Sequence, residues 1–257
     1  MTLQSLSDAE LREALLLKER LEVLKNQETC QEGFMDFIEH IWPEFICGRH
    51  HKIFAQKLED IATGKINRLI VNMPPRHTKS EFASTYFPAW VMGKYPNKKI
   101  MQTTHTGELA VRFGRKVRNL MDTEEYSAIF PQVNLSADSK SAGRWETNKG
   151  GEYFAAGVGG AITGRGADLL IIDDPHSEQD ALSLTAMESA WEWYTSGPRQ
   201  RLQPKGAIVL VMTRWSQVDL TQKLLDAQKE PLADQWEVIE FPAIFPDTEK
   251  PLWPEFW

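Results

Sequence analysis

Arg68-Leu-Ile-Val-Asn-Met-Pro-Pro-Arg-His-Thr-Lys-Ser80 is the stretch on which the reading of this chain turns. Its first five residues form an apolar run short enough for a buried strand, and Lys79 opens a helical pattern that continues to residue 94. Between them lies a Pro-rich turn. A loop that cradles phosphate needs inward-pointing backbone N–H groups at a helix N-terminus, a lysine that reaches the terminal phosphates and a hydroxyl for magnesium. Residues 73–80 supply these parts in order, with Pro75, Arg76, His77 and Thr78 as the loop, Lys79 as the lysine and Ser80 as the hydroxyl. Met73 and Thr78 stand where the usual spacing has its two glycines. The alternative for the run taken alone is a Pro-rich turn with a solvated lysine.

Outward from this loop the pattern alternates strand and helix, the signature of an α/β fold with a mostly parallel central sheet. Residues 99–104 read as a strand and 106–121 as a helix. Two further apolar runs, 167–172 and 207–212, end in Asp173-Asp174 and in Thr213, at the sheet edge where open α/β folds bind ligands. Magnesium on a nucleotide prefers oxygen ligands, so Asp173 is a candidate metal carboxylate beside Ser80. Asp174 occupies the place where many ATPases carry a glutamate that activates water. Thr213 can place a hydroxyl beside a γ-phosphate. Residues 131–153, rich in Ser, Gly and Asn, read as a peripheral hairpin whose second strand is 151–156.

Residues 1–64 read as a helical lead-in and 65–257 as the α/β core with a C-terminal linker segment. The first helix, 7–25, starts with Ser7 and Glu10 in capping-box spacing and carries Leu11, Leu15, Leu21 and Leu24 on a face that needs a partner. A second helix carries Phe34, Phe37, Ile38 and Ile41 up to Pro43, and a third runs from about 50 to 62 ahead of Gly64 as a cap. With 42% hydrophobic and 25% charged residues the chain is of globular type, and its net charge of -7 leaves room for a local basic patch. Arg112, Arg115, Lys116 and Arg118 fall on about half the circumference of one helix, either a track for phosphates or a solvated face. Trp191, Trp193 and Trp215 suit a core or domain interface better than a base-stacking platform. Cys30 and Cys47 lack the spacing of a disulfide framework or zinc site, and no apolar run approaches the roughly 20 residues of a membrane helix. A soluble intracellular protein is expected.

Taken together the motifs resemble those of the large terminase subunits of tailed bacteriophages. The text that carries the resemblance is Pro74-Pro-Arg-His-Thr-Lys-Ser-Glu81, Thr104-His-Thr106, Arg112-Phe-Gly-Arg-Lys-Val-Arg118, Thr163-Gly-Arg-Gly-Ala-Asp-Leu-Leu-Ile-Ile-Asp-Asp-Pro175 and Met212-Thr-Arg-Trp215. The resemblance implies a P-loop NTPase of the additional-strand (ASCE, RecA-like) type that uses ATP and Mg2+ to drive double-stranded DNA into a procapsid. It implies a homo-oligomeric ring on a portal protein, a small terminase subunit as partner, and the host cytoplasm as location. By the same resemblance Lys79 and Ser80 match the phosphate-loop lysine and hydroxyl, Asp173 the magnesium carboxylate, Asp174 the water-activating acid and Thr213 the coupling motif. Arg76 matches the loop arginine, Arg165 the arginine offered to a neighbouring subunit's ATP, and His51 lies where adenine contacts fall. Thr78 and Asp174 depart from glycine and glutamate, which implies a slower ATPase. The nuclease half that the family carries has no counterpart before the chain stops, so a fragment is expected. A helicase-like translocase and a non-hydrolysing module that binds DNA or portal are the alternatives.

Overall fold

Residues 7–137, 141–162 and 164–256 are described in a computed structural model of the chain. Thr163, within one of the quoted motifs, lies outside them. Three helices lead in, α1 (Asp8–Glu32), α2 (Phe34–Ile41) and α3 (Arg49–Ala62), followed by β1 (Arg68–Asn72). A helical stretch comes next, composed of α4 (Lys79–Glu81), a π-turn (Phe82–Tyr86) and α5 (Phe87–Lys94). Then come β2 (Lys99–Thr104), α6 (Gly107–Met121), α7 (Glu124–Ile129), β3 (Arg144–Glu146), β4 (Glu152–Gly157) and β5 (Ala167–Asp173). The described chain closes with α8 (Leu184–Ser196), β6 (Leu202–Met212), α9 (Leu220–Ala227) and β7 (Glu237–Glu240).

The strands form one sheet in the order β3-β4-β2-β5-β6-β1-β7, parallel throughout except for the β3–β4 pair. β6 is inserted between β1 and β5, which is the additional-strand arrangement expected from the resemblance. The central strands are covered on both faces, and this is why they read as unbroken apolar runs. Leu69, Val71, Leu169 and Ile171 enter one core with α2, α3 and α5, while Ile70, Leu170, Ile172 and Leu210 enter a second core on the other face. Thr213 continues β6 just where β1 and β5 end, so the three strand ends that carry polar residues are neighbours.

Several expectations change. The 131–153 region holds the expected hairpin at one edge of the sheet, but it is no appendage, because β4 pairs in parallel with β2 over its whole length and β3 folds back on β4. Trp145 is buried there against Tyr153, ring centroids 4.8 Å apart, and its Nε1–H donates to the Gly114 carbonyl. The polar turn masked two alternating buried positions that belong to the sheet. β6 starts five residues earlier than the 207–212 apolar run, at Leu202, with Gln203, Pro204 and Lys205 exposed. β7 was not foreseen, since its four residues alternate between half-buried and exposed. The first helix has its capping box but runs on to Glu32, and Leu11, Leu15, Leu21 and Leu24 remain exposed. α2 and α3 are the parts of the lead-in that pack most: Phe34 meets Phe82, Phe87 and Trp90 at 5.5–5.9 Å, and Phe54 and Leu58 are fully buried. Among the described residues no helix is long and apolar enough to cross a membrane.

β4 reaches the candidate edge only because Gly157 lets two backbones touch. A Cβ there would lie 2.4 Å from Gly107 N and 2.8 Å from the Thr106 carbonyl carbon, at the start of α6. Backbone cannot step aside as a side chain can. Gly157→Ala is therefore expected to destabilise the fold by about 1–3 kcal/mol, a fall of roughly 3–10 °C in Tm. Gly107→Ala, whose Cβ would meet nothing nearer than 3.7 Å, is the contrast. Thermal unfolding of both variants checks this, and equal Tm values would contradict it.

Candidate functional site

The chain leaves β1 through one further rung, Met73 N–H to the Met212 carbonyl at 3.1 Å, and then turns sharply. Arg76 and Thr78 take left-handed backbone conformations, with φ of 62° and 64°. For an L residue this costs about 1–2 kcal/mol, and a β-branched residue such as threonine is the least suited to it. The His77 ring, through Nδ1–H, donates to the Pro75 carbonyl at 2.8 Å. Thr78 ends the turn as the N-cap of α4, where its carbonyl accepts from Phe82 N–H at 3.0 Å. The backbone thus presents a tight turn opening directly onto a helix N-terminus, the geometry that favours an anion.

Five of the predicted site residues converge at this edge. Lys79 Nζ lies 2.9 Å from Asp174 Oδ2 and donates to Thr213 Oγ1 at 3.2 Å. Thr213 N–H donates to Asp174 Oδ1 at 2.9 Å, and the Thr213 hydroxyl donates to the Met73 carbonyl at 3.3 Å. Ser80 Oγ donates to Asp173 Oδ1 at 3.0 Å. Two residues that the sequence reading missed complete the cluster. Ser84 donates to Asp173 Oδ2 at 2.7 Å, and Gln102 Nε2 donates to Ser84 Oγ at 2.9 Å. Ser84 follows Ser80 by four residues and so shares its helical face, a spacing that was available as a signal.

Asp173 is fully buried, and its pKa is pushed up to about 7 by burial first and by the neighbouring Asp174 charge second. Hydrogen bonds from Ser84 and Ser80 and the Lys79 charge oppose that rise. Lys79 bridges to Asp174 rather than to Asp173, which leaves Asp173 with hydroxyl partners. Among the described residues no group of three or more His, Cys, Asp or Glu side chains can hold a metal ion. The Ser80 hydroxyl and Asp173 carboxylate are adjacent hard oxygen donors, a set that fits Mg2+, which keeps several waters and relies on substrate phosphates for the rest.

Other expected residues are placed differently. His51 is wholly buried, with Nδ1 accepting from Gly48 N–H at 2.8 Å and Nε2 2.7 Å from Thr78 Oγ1, so both ring nitrogens are engaged inside the chain. Arg49 and His50, together with Phe241 and Phe245, line an adjacent cavity of about 580 Å³ that His51 does not reach. Arg165 lies two residues before β5, at the opposite end of that strand from Asp173, with its guanidinium 4.3 Å from the centre of the Phe154 ring. Pro75 and Arg76 are exposed. On α6, Arg112 and Arg115 are exposed, while Lys116 pairs with Glu81 at 3.2 Å. Trp191 and Trp193 pack against the second core and Trp215 is 37% exposed.

The raised Asp173 pKa has a signed consequence. Its ordinary value is 3.8, so the folded state holds the proton more tightly, and stability from this group is lost as pH rises from about 4 through about 7. Asp173→Asn removes the loss. Its Tm is expected to exceed that of the wild type by roughly 5–10 °C at pH 8 and to match it at about pH 3.5, below both values. A difference that is the same at both pH values, measured by calorimetry, would contradict the assignment.

No protein-family profile matches the sequence, and no curated protein sequence matches it. Solved structures do. The chain is similar to the HK97 bacteriophage large terminase with 15% identity and a TM-score of 0.53, over 86% of this chain and 45% of that one. It is also similar to the large terminase of a thermophilic bacteriophage in complex with ADP, with 12% identity and a TM-score of 0.43, over 72% of this chain and 44% of that one. The chain therefore spans a little under half the length of the structures it matches. With its inserted β6 and mostly parallel sheet, this chain has the fold of the matched part of the HK97 large terminase, a likeness carried by the backbone rather than by residue identity.

Proposed function

We propose that this chain is the ATP-hydrolysing motor domain of a phage large terminase, which moves double-stranded DNA into a procapsid. The observation that carries the proposal is the convergence of Lys79 and Ser80 with Asp173, Asp174 and Thr213 at the ends of three adjacent strands. The fold of the HK97 large terminase supports the choice of motor. Pro75, Arg76, His77 and Thr78 form the turn whose N–H groups receive the phosphates, with Arg76 exposed beside them. Lys79 exchanges Asp174 for phosphate oxygens, which frees a carboxylate with 28% side-chain exposure to accept a proton from the attacking water. Ser80 and Asp173 would hold Mg2+, which would offset the charge on the terminal phosphates. Thr213 touches both Lys79 and Asp174, so it responds when Lys79 changes partner.

Arg165 is too far along β5 to serve the same site, and its role is in trans, toward the ATP of a neighbour in a homo-oligomeric ring. A rigid guanidinium placed on γ-phosphate charge is worth roughly a thousandfold or more in rate. The ring sits on a portal protein in the host cytoplasm, with a small terminase subunit as further partner. Arg112 and Arg115 are the exposed cations offered to DNA phosphates.

Lys79→Ala is expected to lower ATP turnover by at least about a hundredfold and to weaken ATP binding, because the side chain contacts phosphate in ground and transition states. Asp174→Asn is expected to lose turnover and keep binding. A wild-type chain that neither binds nor hydrolyses ATP with Mg2+ contradicts the proposal. Binding without turnover, even with DNA and portal present, indicates a binding module instead. For Arg165, the expected result is that Arg165→Ala is inactive alone and regains part of its turnover when mixed with Asp174→Asn chains. A mixture as inactive as its components removes Arg165 from the trans role.

A further inference from the structure

Thr78 occupies a left-handed position, φ 64° and ψ 12°, that a glycine adopts freely and a threonine does not. A directed chain of hydrogen bonds runs through its side chain to the His77 carbonyl. Gly48 N–H donates to His51 Nδ1 at 2.8 Å, which leaves the ring proton on Nε2. Nε2–H donates to Thr78 Oγ1 at 2.7 Å, and that hydroxyl donates to the His77 carbonyl at 2.6 Å. The direction is fixed at both ends, since a backbone N–H only donates and a carbonyl only accepts.

The histidine is built to stay put. It is the N3 residue of α3, and by accepting from Gly48 N–H it closes the first turn of that helix. Its ring lies against Phe82 at 5.1 Å and meets Phe45 and Trp253 edge-on, each at 4.7 Å. Burial, with the His50 and His77 rings nearby, lowers its pKa to about 3, so the ring is neutral near neutral pH. The imidazole accordingly keeps one donor and one acceptor in one orientation.

We propose that His51 is a positioning residue for the loop: through Thr78 it holds the left-handed turn that glycine would take unaided, and it couples the loop's N–H array to helix α3. This rests on the reading of residues 73–80 as a phosphate loop. His51 and Thr78 together do the work of one glycine. The hydroxyl is engaged by the α3 side and by the loop's own carbonyl, so Thr78 functions through its backbone.

The test uses the full chain and a double-mutant design. His51→Phe keeps an aromatic ring and removes both hydrogen bonds, and Thr78→Val removes the hydroxyl from the loop side without touching the aromatic cluster. Each is expected to speed amide hydrogen exchange at residues 76–80 about tenfold or more in nucleotide-free protein, relative to β1 and β6 amides, and to raise the Kd for ATP with Mg2+ about tenfold. His51→Gln, which keeps a donor near the Nε2 position, is expected to recover most of both. In a Thr78→Gly background, His51→Phe is expected to change each readout less than about twofold. An equal effect of His51→Phe in both backgrounds, or no effect in the wild type, overturns the proposal and leaves His51 as a core residue. If no chain binds ATP, the nucleotide reading fails, and loop exchange still decides the brace.

Discussion

Asp173 is a carboxylate sealed inside the protein at the end of a strand, held by the hydroxyls of Ser80 and Ser84 without a cation of its own. Burying such a group is unfavourable unless its oxygens are hydrogen-bonded. Much of the surrounding structure follows from that requirement. The two serines must lie on one helical face directly after the loop, so α4 starts at Lys79. The π-turn at Phe82–Tyr86 falls on the segment that carries Ser84, and Gln102 on β2 donates to its hydroxyl. Single π-turns inside helices often mark functional segments. Lys79, starting the same helix, pairs with Asp174 instead, and that bridge ties the loop after β1 to the end of β5 across Thr213.

Strain gathers at the same edge. Of the six non-glycine residues with positive φ among the described residues, Arg76, Thr78 and Asp174 all lie here. Such conformations persist only where the surroundings over-determine them. Asp174 is anchored by its N–H to the Val211 carbonyl and by its side chain to Lys79 and Thr213. Thr78 is anchored by His51. The lead-in helices therefore serve the site as well as the core: α2 fills the apolar layer under α5, while α3 lays its first turn against the loop.

The apolar runs of β1, β2, β5 and β6 were legible because strands covered on both faces need no alternation, and their polar ends mark the ligand edge. The pairing of Lys79 and Ser80 with Asp173, Asp174 and Thr213 was legible for the same reason, since strand order alone brings those ends together. The hairpin with its second strand at 151–156 was legible too, although its parallel pairing with β2 was not. β7 was not, because its four residues alternate between half-buried and exposed and its apolar content is too small to stand out. The exposed leucines of α1 show the converse, a clear helical pattern in sequence that stays unpacked in the described chain, while only the C-terminal end of the helix, around Cys30, meets the core.

The sequence by itself determined the element types, the parallel sheet and the phosphate-loop and acidic strand ends, because these depend on local periodicity and on residues adjacent along the chain. Only the tertiary structure decided that His51 meets Thr78 and that Ser84 and Gln102 complete the Asp173 shell. Each joins positions separated in the chain, and its strength comes from burial and from a hydrogen-bond direction fixed by neighbours. Those quantities exist only once the helices have closed over the sheet.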